Sequence, residues 1–197
     1  MAGHFRHRLL AMKDAEQALR AELIQSGEPL DGYPPRLRQM HETNARELEL
    51  ILDDEGWPTV ESAEADGAEA AWLMTMQAVS RPAFMRRGLS LLKTAANRDE
   101  VPRRQAAMLE DRIRALEGRP QRYGTQLSFR DGKLSALPIE DETQVDALRA
   151  KVGLAPLAET IATARDAAQS DGAPPPEEWD SSSAAMETLA KEVGWRE

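Results

Sequence analysis

Apolar residues recur every three or four positions along most of this chain, which is the spacing of one face of an α-helix. The first helix is predicted over about 5–25 by Phe5, Leu9, Met12, Leu19 and Leu23. Proline favours the first turn of a helix, and glycine favours the position after its last turn. These signals predict seven further helices, over about 35–55, 61–80, 82–97, 102–118, 141–153, from 156 onward and over 181–193. The sixth begins at Asp141, which has the spacing of a capping box with Gln144.

The hydrophobic period changes from that of a helix to two between 125 and 137. Polar residues alternate there with Leu127, Phe129, Leu134 and Ala136. An Asp-Gly pair separates the two halves, and this dipeptide favours the tight turn of a β-hairpin. We therefore predict a mainly α fold, a compact multi-helix domain with one small β-hairpin. The hairpin must pack on the helices, because a lone two-stranded hairpin is only marginally stable.

Chain length and breaker residues set the expected domain organisation. A chain of 197 residues with 41% hydrophobic residues can bury one core of ordinary size. We predict a main helical domain over 1–170 that includes the hairpin, a proline-rich linker over 171–180 and a C-terminal docking helix over 181–197. The docking helix is expected to contact the main domain through Met186, Leu189, Val193 and Trp195.

Composition narrows the class of protein. The net charge of -9 argues against general nucleic-acid binding, and the arginines clustered between 81 and 122 are expected on solvated helix faces. No apolar run is long enough to span a membrane, and the first residues do not resemble a signal peptide. The chain has no cysteine, so it forms no disulfide and no thiolate metal site. We therefore expect a cytoplasmic protein, and the excess of arginine over lysine is typical of a GC-rich bacterial genome.

Several polar residues occupy inward-facing positions of predicted helices. Helical spacing turns His41 and Asn44 of the second helix inward, and Gln77 continues the apolar face of the third. Arg112, beside Asp111, shares the apolar face of the fifth helix. A buried polar group without a hydrogen bond costs about 1–3 kcal/mol. These side chains are therefore expected to meet one another or a ligand.

The stretch QRYGTQ after the fifth helix brings polar side chains close together. Gln121, Tyr123, Thr125 and Gln126 can all donate and accept hydrogen bonds. They form either a well-satisfied turn or the wall of a polar site. Gly124 allows a sharp turn into the hairpin. We expect Gln121, Tyr123 and Gln126 to close one side of a cleft made by the second, third and fifth helices.

Four blocks follow one another along the chain: GYPPRLRQMHETNARELELILDDEGWP, AAWLMTMQAVSRPAF, AAMLEDRIRALEGRPQRYGTQ and PIEDETQVDALRAKVGLAPLAE. Together they resemble a bacterial family catalogued as a domain of unknown function, DUF6624. The resemblance implies recurrent polar positions at His41, Asn44, Gln77, Asp111, Arg112, Gln121, Tyr123, Thr125 and Gln126. It carries no established activity, so it implies a pattern of site residues but neither a reaction nor a cofactor.

The chain departs from the family pattern at two positions. Relatives usually have Gln-His where this chain has Gln77-Ala78, and many have a histidine where this chain has Pro34. Neither alanine nor proline can transfer a proton or bind a metal ion. The resemblance therefore implies either that this member binds the family's ligand without turning it over, or that His41 replaces the missing group.

The first functional hypothesis is a polar pocket for a small polar or anionic molecule. If the pocket is enzymatic, we expect acid–base chemistry of a hydrolase or transferase, with His41 as base, Asp111 orienting it and Arg112 stabilising an anion. The ligand-binding residues would be Asn44, Gln77, Gln121, Tyr123, Thr125 and Gln126. The sequence has no glycine-rich phosphate loop and no nucleophile elbow, and it predicts no metal site and identifies no cofactor.

The second hypothesis is a non-catalytic protein-interaction or regulatory protein in which the same polar residues form a structural network. A protein partner would then dock on the C-terminal helix, through Trp179 and Trp195, or on the arginine-rich face. A solvent-connected pocket lined by the polar residues favours the first hypothesis. A sealed network with every hydrogen bond satisfied favours the second.

Overall fold

The computed structural model describes residues 5–27, 33–130, 133–170 and 176–197, with the side chains of 130, 170 and 176–183 outside the description. Within these ranges the chain forms eight helices and two strands. The helices are α1 Arg6–Ser26, α2 Pro35–Glu55, α3 Val60–Gln77, α4 Pro82–Asn97, α5 Arg103–Leu116, α6 Val145–Lys151, α7 Leu157–Ser170 and α8 Pro176–Glu192. The strands are β1 Leu127–Arg130 and β2 Lys133–Ala136.

Prolines and a side-chain cap explain where three of the helices begin. α2 and α4 start at Pro35 and Pro82, as the sequence predicts. Proline is favourable there because its fixed φ suits the first turn and an N–H at that position has no intrahelical partner. α3 starts after Thr59, whose side chain forms a reciprocal capping box with Ser62. Local chemistry therefore sets these three starts.

Three helix boundaries differ from the predicted ones. α3 ends at Gln77, three residues early, and the following residues form a turn that leads into α4. α6 begins only at Val145, because Asp141 accepts hydrogen bonds from the N–H and the hydroxyl of Thr143 instead of capping a helix. α8 begins at Pro176, so its first turn takes up part of the predicted linker.

The hydrophobic core lies among the first five helices. α1 packs on α3, α4 packs on α5, and α2 packs on both α1 and α3. Aliphatic and methionine side chains dominate the interior, and its fully buried members include Leu9, Leu48, Met74, Met85, Leu92 and Leu109. α3 and α4 approach so closely at Gly88 that a Cβ there would lie 2.8 Å from Thr75 Cγ2. No described helix combines the length and the apolar character needed to cross a membrane.

The hairpin is antiparallel and is covered by two helices. Leu127 lies opposite Ala136, and Phe129 lies opposite Leu134. α8 contacts β1 and α7 contacts β2, which supplies the packing that an isolated hairpin lacks. The predicted mainly α fold with one hairpin is therefore confirmed over the described part of the chain.

α8 and the residues after it contact the core. Their side chains in or against the core are Met186, Leu189, Ala190, Val193 and Trp195. The indole Nε1 of Trp195 donates a hydrogen bond of 2.6 Å to the carbonyl of Val79. The side chain of Trp179, predicted to contact a partner, lies outside the described residues.

Candidate functional site

His41 lies on the buried face of α2, and hydrogen bonds occupy both of its ring nitrogens. Nδ1 is 2.8 Å from the phenol oxygen of Tyr33, and Nε2 is 3.3 Å from Glu16 Oε1. The two rings also stack, with 5.5 Å between their centroids. In a neutral His41 with its proton on Nε2, that N–H donates to the carboxylate. Nδ1 then shares the single proton of the Tyr33 hydroxyl with the carbonyl of Gln77, which lies 3.2 Å from the same oxygen. The imidazole is therefore satisfied by the protein itself.

Glu16 occupies the orienting position beside His41 that the sequence analysis predicts for Asp111. It is 4% exposed and also accepts a hydrogen bond of 2.8 Å from Arg20. The bond from His41, followed by Arg20, keeps the pKa of Glu16 below its usual value although burial opposes this shift. Helical spacing could have identified Glu16 as an inward-facing residue, because Glu16 follows Met12 by four positions on the apolar face of α1.

Arg112 is a largely buried cation on α5. Its Nε donates to the carbonyl of Met76 at 2.7 Å, and its Nη1 donates to Gln126 Oε1 at 3.3 Å. It forms no ion pair with any carboxylate in the described ranges. Burial lowers the pKa of Arg112, and the neighbouring Tyr33 phenol opposes that shift. A guanidinium with two neutral partners retains donors for an anion.

The last two residues of α3 and the turn after them, residues 76–80 and here called the turn 76–80, join Arg112 to Tyr33. Met76 O accepts from Arg112, and Gln77 O accepts from the Tyr33 hydroxyl at 3.2 Å. These carbonyls lie at the C-terminal end of α3, where oxygens lack intrahelical donors and carry partial negative charge. Both side chains therefore cap α3. Gln77, a predicted ligand-binding residue, takes part here through its backbone.

Two buried polar groups on the surrounding elements have no hydrogen-bond partner among the described residues. Asn44 lies almost one helical turn beyond His41, is 4% exposed, and has an unpartnered Nδ2. Ser80 Oγ is also buried without a well-placed partner, although it lies beside the Tyr33 phenol and the Glu42 carboxylate. A buried donor without an acceptor costs about 1–3 kcal/mol. Asn44 Nδ2 is therefore suited to a ligand that supplies an acceptor.

Tyr33 experiences charges of both signs. Burial raises the pKa of Tyr33, and the Glu42 carboxylate contributes to the rise, whereas Ser80, Arg112 and Arg38 oppose it. Burial acts to raise the pKa of Glu42. The hydrogen bond from Arg38 and the nearby Ser80 hydroxyl outweigh burial and keep this pKa below its usual value. The phenol is therefore protonated at neutral pH. It lies near a carboxylate and a guanidinium.

Asp111 is fully buried on α5 and binds the backbone of the following loop rather than His41. Its oxygens accept hydrogen bonds from the N–H groups of Arg122, Tyr123 and Thr125 at 2.8–3.2 Å. The hydroxyl of Thr125 adds a further bond at 3.0 Å. These contacts leave Asp111 no role in orienting the imidazole. They make it the anchor of the loop.

Gln121 and Arg149 complete the support of this loop. The amide of Gln121 donates to the carbonyls of Gln126 and Leu137 at 3.0 Å and accepts from the N–H of Gln126 at 2.6 Å. Arg149, which is 1% exposed on α6, donates to the carbonyl of Tyr123 at 2.6 Å. Sequence reasoning missed Arg149, because no pattern marks a side chain that bonds a distant backbone carbonyl. The stretch QRYGTQ is thus a well-satisfied turn.

The predicted site residues fall into two groups that the turn 76–80 connects. One group consists of His41, Asn44 and the backbone of Gln77. The other consists of Asp111, Arg112, Gln121, Tyr123, Thr125 and Gln126. Tyr123 packs beneath Arg122, with 5.7 Å from the guanidinium carbon to the ring centroid, and burial raises the pKa of Tyr123. Its described hydrogen bonds do not reach His41.

The two positions where the resemblance implies histidine border Tyr33. Pro34 follows Tyr33 directly, and Ala78 follows Gln77, whose carbonyl accepts the Tyr33 hydrogen bond. Ala78 is fully buried. Tyr33, which bonds to His41, is therefore a proton-carrying group beside both substituted positions.

Three surface cavities of the described chain lie away from these polar groups. The largest, about 660 Å³, lies at the start of α5 and is lined in part by Arg103, Arg104 and Lys151. The others are lined by residues of α1 and α2, including Leu50 in one and Met40 in the other. No cluster of three or more histidine, aspartate or glutamate side chains is placed to hold a metal ion in the described ranges.

Comparison with known proteins gives one match. The model of a family of unknown function, DUF6624, matches residues 3–171. No curated protein and no solved structure matches the chain. Because the match spans most of the 197 residues, this chain belongs to the DUF6624 family.

Proposed function

We propose that this chain binds a small molecule with a carboxylate or phosphate group, in a polar site formed by α2, the turn 76–80 and α5. The observation that carries the proposal is the environment of Arg112, a largely buried guanidinium whose two hydrogen bonds go to neutral oxygens. A buried cation is costly without a counter-charge, and a guanidinium can bind a carboxylate or phosphate through two parallel hydrogen bonds. The lowered pKa of Arg112 is the direction expected for a cation that lacks its anion.

The neutral groups near Arg112 support the same ligand chemistry. Asn44 Nδ2 is buried without an acceptor, and the raised pKa of Tyr33 keeps its phenol uncharged. One cation and an unpartnered amide donor are complementary to an anion with several acceptor oxygens. The Glu42 carboxylate also lies near the phenol and disfavours a second negative charge there. A singly charged carboxylate therefore fits better than a doubly charged phosphate.

We propose binding without turnover. A general base needs a free atom that faces the substrate, and both nitrogens of His41 already bond to Tyr33 and Glu16. Asp111, predicted to orient His41, bonds to the loop after α5. Hydrolase or transferase chemistry is the alternative form, in which the bound molecule would also be turned over. In that form Tyr33 would face the substrate and pass its proton to His41.

A non-catalytic interaction or regulatory protein is the second candidate, with a protein partner at the C-terminal helix. The hydrogen bonding of His41, Asp111 and Gln121 favours it, because these buried groups are satisfied within the chain. In that case Arg112 only caps α3 through Met76 O. Its replacement would then lower stability and nothing else.

The test compares the wild-type protein with Arg112→Gln. Thermal shift and NMR titration are run with acetate, inorganic phosphate and a panel of carboxylate and phosphate-monoester metabolites. A ligand at 100 times its Kd stabilises the folded state by about 2.7 kcal/mol, which raises Tm by about 5–10 °C in a chain of this size. The shift should disappear in Arg112→Gln, which keeps a donor for Met76 O but removes the charge.

Arg104→Gln is the matched control, because Arg104 is an exposed arginine of the same helix and lines the largest of the three described cavities. It should keep the full ligand-induced shift. A shift that survives Arg112→Gln but is lost in Arg104→Gln would locate the anion at that cavity and refute the proposal. If no probe binds the wild type and Arg112→Gln merely lowers Tm, the structural network is the better explanation.

Bacterial origin and cytoplasmic location stay predictions. They rest on the excess of arginine over lysine and on the absence of cysteine. Expression of the tagged protein in its native host, followed by fractionation, tests the location directly.

A further inference from the structure

We infer that residues 189–197, here called the latch, position the proposed anion site by holding the turn 76–80. The inference rests on the proposed function, which supplies the site that the latch controls. Two latch residues carry it. Trp195 contacts the turn itself, and Glu192 contacts the α2 side of the site.

Trp195 binds the turn 76–80 at Val79. This residue lies between Gln77, whose carbonyl accepts from Tyr33, and Ser80. Its Nε1 donates to Val79 O at 2.6 Å, the indole is 4% exposed, and Arg86 lies 4.7 Å from the ring centroid. Val79 lies directly before Ser80, whose Oγ is unpartnered. The Tyr33, Arg112 and Trp195 side chains thus hold three carbonyls of one five-residue turn.

Glu192 connects the latch to the other side of the site. Its carboxylate accepts from Arg38 Nη1 at 2.9 Å, and Arg38 Nε donates to Glu42 at 3.1 Å. Glu42 in turn borders Tyr33 and Ser80. Movement of the latch therefore changes the hydrogen bonding of a carboxylate that faces the Tyr33 phenol.

The contacts of the latch favour reversible docking. Its buried apolar anchors are Leu189, Ala190 and Trp195. The Glu192 side chain is 57% exposed, so its ion pair is screened by solvent. Arg196 Nε is buried without a partner. A short segment held by three apolar anchors and one buried hydrogen bond opens more readily than the whole fold.

Docking and anion binding then stabilise each other. With Trp195 in place, Met76 O and Gln77 O are fixed where Arg112 and Tyr33 bond to them. Without Trp195, the turn 76–80 loses one of the three side chains that bond to it. The Arg112 guanidinium is then no longer held in one orientation. An anion that needs the aligned guanidinium must therefore favour the docked latch, and linkage requires the same coupling in both directions.

The test measures the access of phenylglyoxal, an arginine-modifying reagent, to Arg112 by peptide mapping of the intact protein. Trp195→Phe keeps an aromatic ring but removes the indole N–H. We expect the modification rate of Arg112 to rise about 2- to 10-fold, the range that corresponds to one lost hydrogen bond. Arg149 is 1% exposed and its described hydrogen bonds reach no latch residue, so it should keep its wild-type rate.

Two further variants keep the test decisive. Glu192→Gln weakens only an exposed contact, so it folds even if Trp195→Phe does not, and it should raise the Arg112 rate by a smaller factor. Glu187→Gln is the matched control, because Glu187 approaches Arg196 within the C-terminal segment itself and touches nothing on the turn. An unchanged Arg112 rate in Trp195→Phe and Glu192→Gln overturns the latch. Equal increases at Arg112 and Arg149 overturn it too, since they report general loosening.

Titration with acetate separates this inference from the proposed function. If wild-type protein binds acetate and Trp195→Phe binds it about 2- to 10-fold more weakly at an unchanged global unfolding midpoint, both hold. If wild-type protein binds neither acetate nor inorganic phosphate, the proposed function fails, and the modification rates still decide whether Trp195 positions Arg112.

Discussion

Replacing Asp111 by asparagine tests whether a buried carboxylate holds the loop after α5. Five short contacts reach its two oxygens, from three backbone N–H groups and one hydroxyl. An amide converts one of these oxygens into a donor. Whichever way the amide is oriented, the N–H of Arg122 or of Thr125 loses its acceptor, because each depends on a different oxygen. The Thr125 hydroxyl can rotate to accept, but a backbone N–H cannot.

The expected loss follows from these contacts. One buried donor without an acceptor costs about 1–3 kcal/mol, and the remaining bonds lose about 1 kcal/mol when their acceptor becomes neutral. We therefore expect Asp111→Asn to lower the free energy of unfolding by about 3 kcal/mol. In a chain of this length, that change lowers Tm by about 6–12 °C.

Urea denaturation measures the change, and amide hydrogen exchange localises it to residues 122–125. The matched control is Asp141→Asn, because Asp141 also accepts from an N–H and a hydroxyl of one threonine, but on the surface. Water can replace those bonds, so the control should lose much less stability. A loss below about 1 kcal/mol for Asp111→Asn, or unchanged exchange at 122–125, would show that the carboxylate does not hold the loop.

Three further predictions address backbone strain and titration. Gly124→Ala should destabilise by about 1–3 kcal/mol, because φ is +65° and a Cβ would lie 3.0 Å from Ile139 Cδ1; Gly153→Ala, at φ +76° in open space, should cost less in the same urea titration. The depressed pKa of Glu16 means that the ionised carboxylate stabilises the folded state above pH 4.5 and that this stabilisation is lost as pH falls. Glu16→Gln should therefore flatten the acid side of the stability–pH curve. The raised pKa of Tyr33 means that the neutral phenol stabilises the folded state below pH 10.0 and that this stabilisation is lost as pH rises above it. Tyr33→Phe should therefore be less stable than wild type at neutral pH but less sensitive to alkali. Unfolding followed by circular dichroism from pH 7 to 12 measures both effects. A variant curve parallel to that of wild type would contradict either titration argument.

The helical part of the fold is readable from sequence because local chemistry sets it. Pro35 and Pro82 begin helices for reasons that need no tertiary contact. Boundaries fail where two local options compete. Asp141 can cap a helix or close a turn with Thr143, and the sequence does not say which bond forms. Tertiary contacts are also needed to explain why α3 stops at Gln77, where side chains from distant segments bind its last carbonyls.

The candidate site is readable only as far as helical periodicity extends. His41 and Asn44 are buried, as their spacing predicts, and Glu16 follows the same rule on α1. Tyr33 lies in a breaker-rich stretch without a period, so its bond to His41 has no local signature. Asp111 shows a different limit, since spacing turns the side chain inward but does not identify the groups that it meets there.

The bond from Trp195 to Val79 constrains the order in which the chain folds. It joins residues 116 positions apart, whereas the helices that flank the turn can form from local contacts alone. During synthesis from the N-terminus, α3 and α4 therefore exist before the residue that fixes the turn between them has been made. The turn 76–80 must therefore be among the last parts of the molecule to reach its native geometry. A slow phase in folding should be detected at this turn.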